Sequence, residues 1–124
     1  MIAADTSTLV LYLSGDPGPD VELLDEAIES RLLALPPPVL TEVLSLPGRA
    51  EAIADLLAGI PLLDTRSGYW ERAGVLRARV LAQGFKARVA DALIAHSCID
   101  HDATLITRDS DFRHFLHHGL RTAP

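Results

Sequence analysis

The chain reads as an α/β sandwich built around a mainly parallel sheet. Two observations predict it. Short apolar runs, each sized for one buried strand, alternate with stretches whose apolar residues recur at helical spacing. Carboxylates follow the ends of these runs: Asp5 after Ile2-Ala3-Ala4, Glu42 after Val39-Leu40-Thr41, and Asp109 after Leu105-Ile106-Thr107-Arg108. In open α/β sheets a site lies outside the carboxyl ends of the strands, so this rule places Asp5, Glu42 and Asp109 along one edge. A length of 124 residues with 48% hydrophobic content fits one domain, residues 1–124, with a core that needs no disulfide.

Taken in order, residues 2–5 predict a short buried strand ending at Asp5. Helical spacing covers 7–14 and 20–33, where Val21, Leu24, Ile28 and Leu32 fall on one stripe. Gly15-Asp16-Pro17-Gly18-Pro19 is a turn between them, with Asp20 as the N-cap of the second helix. Pro36-Pro37-Pro38 stops that helix and leads into a second strand near Val39-Leu40. Thr41 then caps a helix running to Leu46, and Pro47-Gly48 breaks it. The next helix, 49–58, turns Ala52, Ile53, Leu56 and Leu57 inward. Ile60-Pro61-Leu62-Leu63 is a third strand, its proline placing it at an edge or a strand start. A long amphipathic helix spans 68–83 and stops at Gly84, in the usual C′ position for glycine. Residues 89–101 form a helix that is apolar nearly all round and therefore central. Ala103-Thr104-Leu105-Ile106-Thr107 is a fourth strand, 111–118 is a last helix closed by Gly119, and Leu120-Arg121-Thr122 adds an edge strand.

Composition narrows the function. The net charge of −6 argues against broad nucleic-acid binding through a basic face, though not against a nuclease that recruits phosphate through metal ions. One cysteine, Cys98, rules out an internal disulfide and points to a reducing compartment. The N-terminus lacks the basic region and apolar run of a signal peptide, and no stretch approaches the ~20 apolar residues of a membrane span. These features predict a soluble, cytoplasmic protein.

The acids carry the chemistry. Asp5 fits an N-cap as well as a ligand, and Glu42 near a helix start fits a dipole interaction. Asp91 is more telling, because Val89, Ala90, Ala92, Leu93, Ile94 and Ala95 surround it. A lone carboxylate there would be strongly disfavoured or protonated. Asp109 and Asp111 flank Ser110 just after a strand and beside Thr107. Clustered carboxylates are costly unless a cation neutralises them, and Mg²⁺ takes oxygen ligands. The pattern therefore predicts a metal-dependent site acting on phosphate esters. His114, His117 and His118 fit an ordinary polar helix face better than a metal site. Arg108 and Lys86 fit either phosphate steering or pairing with acids, and Arg72, Arg77 and Arg79 a solvated helix face. Tyr69 and Trp70 fit base stacking or anchoring of a helix, and Cys98 a small core residue.

Four motifs in this order carry a family resemblance: Asp5-Thr6-Ser7, Leu40-Thr41-Glu42-Val43-Leu44, Gly84 followed by Ala90-Asp91-Ala92-Leu93-Ile94-Ala95, and Ala103-Thr104-Leu105-Ile106-Thr107-Arg108-Asp109-Ser110-Asp111-Phe112. Over nearly its whole length the chain resembles the PIN-domain ribonucleases, and most of all the VapC toxins of bacterial toxin–antitoxin modules. The resemblance implies a three-layer α/β/α sandwich with a parallel sheet. It implies an endoribonuclease dependent on Mg²⁺, with Mn²⁺ as substitute, that forms a homodimer and binds a small VapB-like antitoxin. Asp5, Glu42, Asp91 and Asp109 match the family's acidic quartet, Asp111 a further acid, and Thr6, Ser7 and Thr107 polar residues beside the site. His96 and the small pair Ala3-Ala4 depart from the usual pattern without touching the acids. In physical terms, such acids around a cation would let a water attack a phosphodiester.

Other classes fit less well. A haloacid-dehalogenase-like phosphatase wants a second Asp two residues after the first, where Ser7 stands, and a catalytic lysine, of which only Lys86 is available. A receiver-type binding module wants paired acids after its first strand, which are missing. A non-catalytic PIN scaffold is the remaining alternative, set against the presence of all four acids.

Overall fold

The computed structural model describes residues 1–124. Strand β1 (Ile2–Ala4) leads through Asp5 into α1 (Thr6–Leu13), followed by α2 (Pro19–Glu29), α3 (Pro37–Leu44) and α4 (Ala50–Leu57). Two longer helices, α5 (Tyr69–Ala82) and α6 (Val89–His101), precede β2 (Thr104–Ile106). A 3-10 helix (Ser110–His118) and β3 (Arg121–Thr122) complete the chain. The strands form a parallel sheet in the order β1-β2-β3, with Ala3 opposite Leu105 and Leu105 opposite Thr122. Beyond β1 the sheet continues as two single parallel bridges, Ile2 to Leu33 and Leu35 to Leu62. Helices flank this sheet in a three-layer α/β/α sandwich, with α2 and α6 both against β2 and α5 packed on α6.

The core is one cluster of 26 buried residues. Leu9, Leu35, Val39, Val43 and Leu105 are fully buried within it, as is Cys98. Each large aliphatic side chain taken from water contributes about 1.5–3 kcal/mol. Glycines close two elements as expected: Gly84 (φ 85°) follows α5 and Gly119 (φ 106°) follows the 3-10 helix, both in the left-handed region that a Cβ disfavours.

Several sequence expectations shift. The predicted strand at Val39-Leu40 lies inside α3, and Thr41 is an interior helical residue rather than a cap. The three prolines explain this, because proline is pre-organised for the first turn of a helix, where its missing N–H is not needed. Val39 and Val43, four residues apart, then face inward together. The second strand segment precedes the prolines, at Leu33 and Leu35. Accordingly α2 ends at Glu29 instead of 33, and Leu32 is exposed. The helix begins after Gly18, so Asp20 is a residue of its first turn and not its cap. Ala52 is exposed, and Ile60–Leu63 contributes one bridge rather than a strand.

Candidate active site

The parallel sheet brings the carboxyl ends of β1 and β2 side by side, and the Asp5 N–H donates to the Ile106 carbonyl at 3.2 Å. Asp5 is only 2% exposed. Its carboxylate accepts from the Ser7 hydroxyl (2.9 and 2.8 Å), the Thr8 N–H (3.0 Å) and the Thr107 hydroxyl (2.5 Å). It therefore caps α1 and faces the site at once. Burial still lifts its pKa above the usual carboxylate value, against the lowering effect of these donors.

Thr107 links two acids. While donating to Asp5 it accepts from the Asp109 N–H at 3.0 Å. Asp109 in turn caps the 3-10 helix by accepting from the Asp111 N–H at 2.9 Å. From the opposite side α6 supplies Asp91 in its first turn. One carboxylate oxygen from each of Asp91, Asp109 and Asp111 lies within 4.8 Å of the others. Asp91 responds accordingly: burial first, then Asp109, raise its pKa to about 6, Arg88 pulls it down, and Glu42 and Asp111 push it further up.

Glu42 sits in the last turn of α3, where the helix dipole disfavours a negative charge. That removes the expected dipole explanation. The Thr6 hydroxyl donates to Glu42 Oε1 at 2.6 Å, tying α3 to α1 at the site.

Asp5, Thr6, Ser7, Glu42, Asp91 and Asp109 line one cleft of about 230 Å³, together with Arg88, Ile94 and Phe112. Every acid predicted from the sequence reaches this cleft or, for Asp111, the carboxylate triad beside it. The potential ligands are carboxylate and hydroxyl oxygens, with no cysteine or histidine among the lining residues. This donor set fits a hard divalent cation such as Mg²⁺, and the repulsion felt by Asp91 is what such a charge would relieve. A larger apolar groove of about 500 Å³ shares Glu42 and is lined by Pro37, Pro38, Tyr69 and Trp70. It has no gathered acids, so the donor set that fits a cation lies in the smaller cleft.

Sequence reasoning missed two residues. Arg88 is the single basic side chain lining the cleft, one turn before Asp91; that spacing was the available signal. Asp20 is buried and grips Arg108, so Arg108 is committed to that pair rather than to the cleft. Other residues resolve as packing. Tyr69 is buried and its hydroxyl donates to the Leu93 carbonyl at 2.6 Å, while Trp70 is exposed. Arg72 is no free solvated residue: it pairs with Asp100 at 2.6 Å and donates to His96. His96, stacked against Tyr69, lies in this α5–α6 contact. His114 stacks on Phe85 and His118 meets Gln83, so the terminal histidines do not converge on a metal site. Burial pushes the Cys98 thiol to about 12, that of an inert core residue.

The geometry can be set beside known proteins. The chain has the fold of VapBC2 from Rickettsia felis, a structure bound to a DNA fragment from their promoter, with a TM-score of 0.77 and 22% identity over 99% of this chain and 98% of that one. FitAcB from Neisseria gonorrhoeae is similar in fold at a TM-score of 0.73, with 23% identity over 100% of this chain and 97% of that one. No curated protein is a significant match. The PIN domain family model matches residues 2–116, from β1 into the 3-10 helix and across all the acids of the cleft, and the chain belongs to the PIN domain family.

Proposed function

We propose that residues 1–124 are a single PIN-like nuclease domain: a divalent-cation-dependent endoribonuclease and the toxin of a VapBC-type toxin–antitoxin module. In this reading it acts in the cytoplasm as a homodimer and is neutralised by a VapB-like antitoxin. The observation that carries the proposal is the convergence of Asp5, Glu42, Asp91 and Asp109 on one cleft, with Asp111 beside it and oxygen ligands alone. PIN family membership and the shared fold with VapBC2 support it. No helix is long and apolar enough to cross a membrane.

Mg²⁺, or Mn²⁺ in its place, held by these carboxylates directly or through water, would supply positive charge to a phosphodiester and lower the pKa of a water. The chain's own groups do the rest. Ser7, Thr8 and Thr107 hold the Asp5 carboxylate in one orientation, and Thr6 does the same for Glu42. Asp91, whose carboxyl burial and Asp109 raise to about 6 in the metal-free chain, would be held ionised as a ligand once the cation is bound. Arg88, at the rim and without an acid partner among the ion pairs, is placed to take a phosphate oxygen. On a chain of net charge −6, Arg88 and a bound cation would together supply the positive charge that meets the phosphate.

Family membership removes the phosphatase reading. Induced expression of the wild type and of Asp5→Ala tests the rest. The wild type should stop growth and degrade cellular RNA, and Asp5→Ala should do neither. Intact RNA with the wild type, or equal toxicity from both, would favour a non-catalytic PIN scaffold.

A further inference from the structure

Arg108 stands between two site residues, Thr107 and Asp109, yet its guanidinium does not line the acidic cleft. It grips Asp20 side-on: Nε donates to Oδ2 at 2.8 Å and Nη2 to Oδ1 at 2.6 Å. Nη2 also reaches the Pro17 carbonyl at 3.4 Å. Such a two-point fork fixes direction as well as distance, which a lysine would not do. Asp20 is itself held from behind, since the fully buried Thr8 hydroxyl donates to its Oδ2 at 3.0 Å. Thr8 also donates its N–H to Asp5. A closed circuit results: hydrogen bonds run from Asp5 through Thr8 and Asp20 to Arg108, the peptide bond leads to Thr107, and its hydroxyl returns to Asp5. It spans α1, the first turn of α2 and the segment after β2.

The backbone is shaped around this pair. A Cβ on Gly18 would collide with Arg108 Nη2 and lie 2.7 Å from Asp20 Oδ1. Glycine there leaves the guanidinium its seat and supplies a φ of 157°, which side chains rarely adopt. The pair also does not depend on pH near neutrality, because the Arg108 hydrogen bonds hold Asp20 at about 2.

We propose that the Asp20–Arg108 pair is a positioning clamp, which sets the Thr107–Asp109 segment so that the Thr107 hydroxyl orients Asp5 and the Asp109 carboxylate meets Asp91 and Asp111. Neither Asp20 nor Arg108 touches the substrate in this scheme. The proposal rests on the nuclease reading for its functional meaning and on geometry for its existence.

The test uses the full chain in two variants: Asp20→Asn and Arg108→Lys. Amide hydrogen exchange of the metal-free protein reads the clamp directly. Exchange at the Asp109 N–H, which is bonded to Thr107, should quicken about 10-fold in each variant, while amides in α5 and α6 stay as in the wild type. Calorimetric Mn²⁺ affinity should fall about 10-fold, as when groups supporting metal ligands are removed. Should buried Asp20→Asn fail to fold, Arg108→Lys decides, since Arg108 is 41% exposed and the change keeps its charge. An unchanged Asp109 exchange rate, or unchanged Mn²⁺ affinity, in folded Arg108→Lys overturns the clamp. If the wild type cut no RNA, the nuclease reading would fall, while exchange at Asp109 would still judge the clamp.

Discussion

Asp91 shows how much one side chain decides at the residue scale. Its carboxyl titrates near 3.8 when free and at about 6 in the fold, because burial and Asp109 disfavour its charge. Between those values the native state keeps a proton that the unfolded chain has released. Stability from this group is thus complete below the lower value and is lost as pH rises through the upper one. Metal-free Asp91→Asn should therefore melt a few degrees above the wild type at pH 7 and alongside it at pH 4; parallel melting curves at both pH values would contradict this. Arg88 gives a second expectation. Arg88→Ala should raise KM for RNA and reduce the salt slope of binding by about 1, with kcat nearly kept; an unchanged salt slope would remove Arg88 from phosphate binding. Asp5, Asp91 and Asp109 were legible in the sequence because each is a charge next to an apolar run. Asp20 was not, since its partner Arg108 lies 88 residues away and local chemistry reads it as a cap.

At the scale of elements, α5 and α6 were read almost to the residue, since periodicity and Gly84 mark them clearly. The stretch from Leu33 to Leu44 was misread. Its strand contributions are single residues, Leu33 and Leu35, too short for any pattern to reveal. The prolines after them signal a stop and a helix start equally well, and the burial of Val39 and Val43 decided for the helix. This correction matters for the site, because it moves Glu42 from a helix start to a helix end. Thr41→Pro separates the two readings. A cap would lose only its capping hydroxyl, about 1 kcal/mol, whereas the interior of α3 should lose about 3 kcal/mol or more and release Glu42 from the cleft. Urea unfolding measures the loss; a loss of about 1 kcal/mol or less would restore the cap.

Across the whole molecule, the parallel sheet is what turns scattered acids into one site. Asp5 and Asp109 lie at the same sheet edge because β1 and β2 run in the same direction, and α3 and α6 bring Glu42 and Asp91 to meet them. This much followed from strand–helix alternation, but the order of the strands and the circuit through Asp20 required the fold. An acidic cleft on a chain of net charge −6 also suits a basic partner segment. Co-expression with the cognate VapB-like antitoxin, the product of the adjacent small gene, should yield a stable complex and restore growth; failure to bind would end the toxin assignment and leave the nuclease one standing. Whether these carboxylates hold a cation with which the chain cuts RNA is decided with purified protein and a defined RNA, in Mg²⁺ and then in excess EDTA, alongside Asp91→Asn. Cutting is expected in Mg²⁺ or Mn²⁺ only, with 5′-phosphate and 3′-hydroxyl ends, and Asp91→Asn should lose most activity. Undiminished cutting in EDTA, or full activity in Asp91→Asn, would contradict this.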